Sequence, residues 1–131
     1  MATLTRDAAE SRGEQPALVD ETGSETWAEL DERVNRLVHA LRSAGLGAGD
    51  TVALMAGNRR EWFETVLACA HAGLIFVPVN WHLVAPQVTY ILGDSGAKAV
   101  VAGDRYAQVV ADALADEQSA GVELALLIGD A

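Results

Sequence analysis

The sequence predicts an α/β domain built on a mainly parallel sheet with helices on both faces. Short apolar runs recur along the 131-residue chain at residues 51–55, 74–79, 99–101 and 122–128. Stretches with helical spacing of apolar residues separate these runs, and such alternation is typical of parallel strands joined by right-handed crossovers. Half of the residues are hydrophobic, which is enough to form a packed core.

The start of the chain divides into two parts. Residues 1–15 mix Thr, Arg, Asp, Glu and Ser, so we expect a flexible tail there and a domain over residues 16–131. Residues 16–26 predict a small hairpin, because a short extended run is followed by turn-forming residues at positions 21–24.

The helix that follows has a clear start and a clear end. Thr26 is a candidate N-cap, and Glu29 lies three residues on, which together make a capping box. Gly45 and Gly47 end the helix in a tight turn. Its apolar stripe, recurring at helical spacing, comprises Leu30, Val34, Leu37, Val38 and Leu41.

The middle of the chain predicts two strands buried on both faces, residues 51–55 and 74–79, since both runs are almost continuously apolar. Asn58 is the expected N-cap of the helix between them, with Glu61 as its capping-box partner.

The last third of the chain predicts two more helices, each followed by a strand. A helix over about residues 86–92 has a weak start, because Val84 is a poor N-cap. The run at 99–101 is the next strand, Asp104 is expected to cap the following helix, and 122–128 is the last strand.

Composition excludes several classes of function. Nineteen acidic residues against nine basic ones give a formal charge of −10, which disfavours nucleic acid and a polybasic membrane patch. The apolar runs are too short for a membrane span. The single cysteine, Cys69, has no disulfide partner within the chain, so a reducing, cytoplasmic location is expected.

The sequence shows no recognisable motif for catalysis, cofactor binding or metal binding. Gly45, Gly47 and Gly49 follow a helix and precede a strand, whereas phosphate-binding loops follow a strand and precede a helix. Lys98, the one lysine, has no glycine-rich loop before it, and the three histidines lack metal-ligand spacing. We therefore assign no catalytic, cofactor-binding or metal-binding residue.

Four residues are candidates for ligand-side loops. Ligands of open α/β sheets bind beyond the carboxyl ends of the strands, where Asn58, Asn80, Trp81 and His82 are predicted to lie. Structural roles compete with ligand contact: Asn58 caps a helix, Asn80 ties down its own turn, and His82 is an ordinary surface residue. At both loops the structural role is the favoured interpretation.

A series of segments carries a resemblance to a known family. These are the aromatic helix start at 26–27, GLGAGD at 45–50, the Asn-led helix from 58, AGLIFVPVN at 72–80 and YILGDSGAKAVV at 90–101. In order and spacing they resemble the N-terminal subdomain of adenylate-forming (AMP-binding) acyl-CoA synthetases, or fatty-acid–CoA ligases. Residues 84–87 depart from the family's Thr-Pro-Glu-Glu-like helix start.

The resemblance implies a two-step parent reaction. A carboxylate and ATP form an acyl-adenylate, and the thiol of CoA then displaces AMP, with Mg²⁺ as the metal. The family's Thr/Ser/Gly-rich ATP loop, its ribose-binding Asp and its catalytic Lys are absent from residues 1–131. We therefore expect an inactive scaffold fragment that binds neither ATP, Mg²⁺ nor CoA alone, has the remainder of the synthetase as partner, and self-associates.

Other interpretations stay open at this point. One is a stand-alone, non-catalytic α/β module for binding or interaction. Another is an unrelated doubly wound protein that binds a small ligand at the Asn58 and Asn80 loops. Within the family, an acyl-AMP ligase is an alternative to a CoA ligase, and the acyl chain is not specified.

Overall fold

The computed structural model describes residues 4–57 and 59–128. Two short 3₁₀ turns, Asp104–Tyr106 and Glu117–Ser119, precede and follow the last helix. The helices and strands, in chain order, are α1 Leu4–Arg12, β1 Pro16–Asp20, β2 Gly23–Thr26, α2 Trp27–Ser43, β3 Thr51–Met55, α3 Arg60–Ala72, β4 Ile75–Pro78, α4 Ala85–Ser95, β5 Ala99–Gly103, α5 Ala107–Leu114 and β6 Leu124–Ile128.

The main sheet has four strands that are all parallel, as the sequence predicts, and the structure gives their order as β4-β3-β5-β6. β1 and β2 pair separately as the expected antiparallel hairpin. In this order β3 and β5 are the central strands, and β4 and β6 are the edges among the described residues.

Helices cover both faces of the sheet, which confirms the predicted fold class. Along β3, Val52 and Leu54 pack on one side with residues of α2 and α3. Ala53 and Met55 pack on the other side with residues of α4 and α5. Since alternate residues of a strand point to opposite faces, a strand covered on both faces is apolar throughout.

The capping box at the start of α2 is confirmed. The N–H of Glu29 donates to the Thr26 hydroxyl at 3.2 Å, and the N–H of Thr26 donates to the Glu29 carboxylate at 3.0 Å. Four residues of the predicted stripe are buried, whereas Leu37 is only half buried at the border of a groove beside β6. The buried four are Leu30, Val34, Val38 and Leu41.

Within residues 1–15, where the sequence predicts a flexible tail, residues 4–12 form helix α1. Thr5 and Ala8 are buried, and the Thr5 hydroxyl donates to the Asp31 carboxylate on α2 at 2.9 Å. The Arg12 guanidinium also lies over the Trp27 ring of α2, 5.2 Å from its centroid. The buried side chains Thr5 and Ala8 are small, so α1 lacks the stripe of large apolar residues that periodicity detects.

The strand predicted at 74–79 is also corrected, because β4 is an exposed edge and not a buried strand. Ile75 is 54% exposed and Phe76 36% exposed. An edge strand pairs on one side only, and its apolar sequence alone does not reveal that position in the sheet.

The starts of the later helices differ in detail from the predictions. Arg59 occupies the N-cap position of α3, without a side-chain cap, and Asn58 lies outside the described residues. At α4 the N-cap is Val84, as expected, and its N–H donates to the Gln87 side chain at 3.1 Å. Asp104 begins a 3₁₀ turn that leads into α5. Among the described helices, none is long and apolar enough to cross a membrane.

Candidate functional site

The sheet order creates a switch point between its two central strands. The chain leaves β3 toward β4 on one side, then returns past β3 to place β5 on its other side. Connections that diverge in this way leave a crevice beyond the carboxyl ends of the two strands, which is where open α/β sheets bind ligands. The loops at this crevice follow β3 at residue 56 and β5 at residue 104.

A cleft of about 360 Å³ lies at this switch point. Its lining comes from the loops after β3 and β5, from Trp81 in the loop after β4, and from the turn of the β1–β2 hairpin. The residues that line it are Asp20, Glu21, Thr22, Gly57, Arg59, Trp81, Gly103, Asp104, Arg105 and Tyr106.

Aromatic rings make one wall of the cleft. The rings of Trp81 and Tyr106 lie 6.3 Å apart between centroids, and His82 stacks against Trp81 at 3.8 Å. Trp81 is 46% exposed, so part of its ring surface is accessible from the cleft. Tyr106 lies against Gly103, where an added Cβ would approach its ring to 3.5 Å. An alanine at position 103 would therefore make ordinary van der Waals contact with this wall.

Asn80 has the structural role that the sequence favours. Its side-chain oxygen accepts a hydrogen bond from the N–H of His82 at 2.9 Å, which closes the turn after β4. The backbone carbonyl of Asn80 accepts from the N–H of Leu83 at 3.1 Å. Asn80 therefore holds the loop in the shape that presents Trp81.

Arg59 brings a positive charge to the cleft between two acidic side chains. Its Nε lies 3.4 Å from the Glu61 carboxylate, and a terminal nitrogen lies 3.9 Å from the Asp104 carboxylate. The Arg59 side chain is 21% exposed, so an anion entering the cleft meets a guanidinium that carboxylates already neutralise in part.

Arg60, in contrast, is held by the hairpin. Its Nε and its backbone N–H both donate to Oδ2 of Asp20, at 3.2 and 3.0 Å. Its terminal nitrogens donate to the Ser24 carbonyl and the Thr22 hydroxyl. The Thr22 hydroxyl and Arg60 hold the pKa of Asp20 well below its ordinary value. Arg60 thus fastens the hairpin turn to the start of α3.

The described residues supply little chemistry of their own. In residues 4–57 and 59–128, no three carboxylate, imidazole or thiol side chains converge as metal ligands. Cys69 is fully buried in α3, and burial raises the pKa of its thiol to about 11.

Comparison with known proteins decides the family. A family model described as AMP-binding enzyme matches residues 5–130. The chain belongs to the AMP-binding enzyme family. This excludes the alternative of an unrelated doubly wound protein.

Two relatives within the AMP-binding family illustrate the similarity in sequence. A fatty acid–[acyl-carrier-protein] ligase of Streptomyces coeruleorubidus is 40% identical over 95 residues, which cover 72% of this chain and 18% of that protein. A feruloyl-CoA synthase of Amycolatopsis is 43% identical over 86 residues, covering 66% of this chain and 18% of that protein. The chain therefore spans about a fifth of the length of these relatives.

Solved AMP-binding structures share the fold. A fatty acyl CoA synthetase of Mycobacterium tuberculosis superposes with a TM-score of 0.88 at 30% identity, covering 97% of this chain and 26% of that one. The N-terminal domain of FACL13 from the same species gives 0.88 at 29%, covering 97% and 33%. The chain matches the N-terminal region of acyl-CoA synthetases in this family.

The structure places some of the predicted site residues at the cleft and shows further cleft residues that the sequence did not indicate. Of the four predicted residues, Trp81 lines the cleft, His82 stacks on Trp81, Asn80 shapes the loop, and Asn58 is not described. Sequence reasoning missed the loop after β5, residues 103–106. The rule that pointed to Trp81, a position directly after a strand, applies equally to this loop and would have found it.

Proposed function

We propose that the chain forms the N-terminal part of a cytoplasmic, ATP-dependent acyl-CoA synthetase. One observation carries the proposal: solved acyl-CoA synthetase N-terminal domains superpose on almost the whole chain, which accounts for about a third of their length. In the parent reaction a carboxylate attacks the α-phosphate of ATP, pyrophosphate leaves, and the CoA thiol then displaces AMP from the acyl-adenylate.

The role that we propose for this segment is scaffolding and substrate contact, without a chemical step. Charge on a transferring phosphoryl group is stabilised by cations and hydrogen-bond donors aimed at it. The described residues place Arg59 and Arg60 in ion pairs with carboxylates, and Arg105 lies exposed at the cleft. We therefore place the phosphoryl chemistry on other segments of the parent enzyme.

We further propose that Trp81 and Tyr106 form a ligand-facing wall. A flat ring stacks on an exposed aromatic side chain, and a guanidinium attracts an anionic group. ATP and CoA both combine a purine ring with phosphates, so either suits a wall made of Trp81, Tyr106 and the neighbouring arginines.

A chimera tests the scaffold role. Residues 4–128 replace the matching segment of the Mycobacterium tuberculosis fatty acyl CoA synthetase, which superposes on 97% of this chain. We expect the chimera to form acyl-CoA, while the 131-residue chain alone shows neither ATP–pyrophosphate exchange nor ATP binding in calorimetry. A folded chimera without activity contradicts the proposal. So does exchange by the chain alone that an Arg59→Ala/Arg60→Ala double substitution abolishes.

The same chimera tests the wall. Trp81→Ala should raise the KM for ATP or for CoA, whereas Tyr90→Ala, which removes an exposed aromatic ring outside the cleft, should leave both unchanged. Equal kinetics for the two variants would remove Trp81 from the ligand-facing wall.

A second candidate function has its own support. The 40% identical Streptomyces relative is a fatty acid–[acyl-carrier-protein] ligase, which is named for a different thiol acceptor. Both functions share the adenylate and differ in the thiol that displaces AMP. A gene product that includes the downstream sequence, supplied in parallel with CoA and with holo acyl-carrier protein, separates them by the thioester formed.

A further inference from the structure

Ion pairs hold the β1–β2 hairpin on α2 and α3 at two places. At the turn, Asp20 binds Arg60. At the other end, Glu25 of β2 lies against Arg33 of α2 and Glu64 of α3. The turn of the hairpin also lines the cleft at the switch point, so the attachment of the hairpin to the helices shapes one wall of that cleft.

In the Asp20–Arg60 pair at the turn, the two charges balance each other. Asp20 receives two hydrogen bonds from Arg60, and its side chain is 8% exposed. The Thr22 hydroxyl and Arg60 keep its pKa well below the ordinary value, so Asp20 is ionised at every pH near neutrality. The charge of Arg60 is therefore already matched by that of Asp20.

The cluster at the other end has one carboxyl group too many. Nε of Arg33 lies 3.2 Å from Oε1 of Glu25 and 3.0 Å from Oε2 of Glu64. Glu25 is 2% exposed, and among the described residues neither of its carboxyl oxygens accepts a hydrogen bond of good geometry. One guanidinium balances one of two buried carboxylates, and the second is stable there only with a proton.

Groups from each element packed against Glu25 surround its carboxyl. Arg33 faces it from α2, Glu64 and Arg60 face it from α3, and the apolar Leu18 of β1 lies opposite it in the hairpin. Burial, and then the neighbouring Glu64 carboxyl, raise the pKa of Glu25 to about 8 against the opposing effect of Arg33 and Arg60. Glu61 adds a further acidic group near Arg33.

We propose that a proton on the buried Glu25 carboxyl, beside Arg33 and Glu64, is a pH-sensitive latch, which keeps the β1–β2 hairpin docked on α2 and α3 and so fixes the hairpin wall of the cleft. Loss of this proton leaves two buried carboxylates beside one guanidinium and loosens the hairpin at the Glu25 end. The Asp20–Arg60 pair then acts as the remaining attachment. The inference does not depend on the proposed synthetase function, because docking is measured without any ligand.

The direction with pH follows from the proton count. The docked hairpin binds a proton at Glu25 up to about pH 8, while an undocked, solvated Glu25 releases it near its ordinary pKa of about 4.3. Docking is therefore strongest in acid, weakens by up to tenfold per pH unit between these two values, and levels off above about pH 8.

Amide hydrogen exchange of the 131-residue chain, followed by NMR between pH 5.5 and 8.5, tests the latch. Protection of the hairpin amides, corrected for intrinsic exchange and compared with β3 and β5, should fall about tenfold or more over this range. The side-chain ¹³C signal of Glu25 should titrate with a midpoint near 8.

Two substitutions provide the comparison. Glu25→Gln keeps the shape and stays neutral, so its hairpin protection should be independent of pH and about tenfold higher than wild type at pH 8.5. Glu32→Gln removes an exposed carboxylate from α2 and should behave as wild type.

The latch is overturned by a Glu25 midpoint near pH 4.5, or by hairpin protection that does not change with pH. The same loss of protection in Glu25→Gln as in wild type would also overturn it. The wild-type titration needs no variant, so a substitution that failed to fold would still leave the proposal tested.

Discussion

Leu41→Ala should destabilise the chain far more than Leu37→Ala, although both leucines belong to the same apolar stripe of α2. Leu41 is fully buried and packs in one cluster with Val52 and Leu54 of β3, whereas Leu37 is half buried at the border of the groove beside β6. The comparison isolates burial, because the chemical change is identical at the two positions.

The structure gives the magnitude for each position. Replacing Leu by Ala removes three carbon atoms, worth about 2.4 kcal/mol at about 0.8 kcal/mol each. At Leu41 the strand below cannot move into the space, so a cavity term brings the loss to about 3–4 kcal/mol, inside the usual range for buried leucines. At Leu37 part of the side chain is already in water and no closed cavity forms, so we expect a smaller loss of about 1.5–2 kcal/mol.

Urea unfolding followed by circular dichroism measures both free energies. A domain of this size has about 5–15 kcal/mol of stability, so both variants should remain folded in water. The slope of the free energy with urea should stay constant, since neither change alters the surface exposed on unfolding by much. A cost for Leu37→Ala equal to or above that for Leu41→Ala would refute the placement of α2 on the sheet.

Three further predictions concern the cap, the thiol and the edges. Thr26→Ala should cost about 1 kcal/mol in urea unfolding, because it leaves the N–H of Glu29 without its acceptor; an unchanged midpoint would refute the capping box. Cys69 should react with a thiol reagent at pH 8 more than about 100-fold slower than an exposed cysteine, because it is buried and its pKa is raised to about 11; rapid labelling of the native chain would contradict this. The chain should self-associate in sedimentation experiments, and Leu127→Lys on the β6 edge, where Leu127 is 61% exposed, should reduce this more than Tyr90→Lys.

Periodicity predicted most of the fold because most of its elements contain large apolar residues. β3 and β5 are buried along their whole length, and both were expected from uninterrupted apolar runs. Helix α1 was not predicted, because its buried residues Thr5 and Ala8 are small and their burial depends on α2 lying beside them. The exposure of β4 was not predicted either, since its place at the edge of the sheet depends on the order of the strands and not on its own residues.

The candidate site was partly predictable for a similar reason. Trp81 lies in the loop after β4, so its position beyond the carboxyl end of that strand can be expected from the sequence. That Tyr106 and Arg59 would stand beside it requires knowing that β3 and β5 are neighbours while β4 lies on the other side. The contact of the hairpin turn with the cleft requires, in addition, the long-range pairing of Asp20 with Arg60.

The charges around the cleft support the proposal that this segment contributes shape and contact without a chemical step. Arg59 lies between Glu61 and Asp104, and Arg60 is committed to Asp20. A phosphate group would have to displace a carboxylate from either guanidinium, and the free energy of that exchange is small because one anion replaces another. The net charge of −10 also opposes the approach of a triphosphate, within the screening distance of about 10 Å. An exposed aromatic wall carries no such cost, since stacking on Trp81 replaces only water. We therefore expect the ring of a ligand to contribute more than its phosphates to the affinity of this cleft, and so to decide which ligand it prefers.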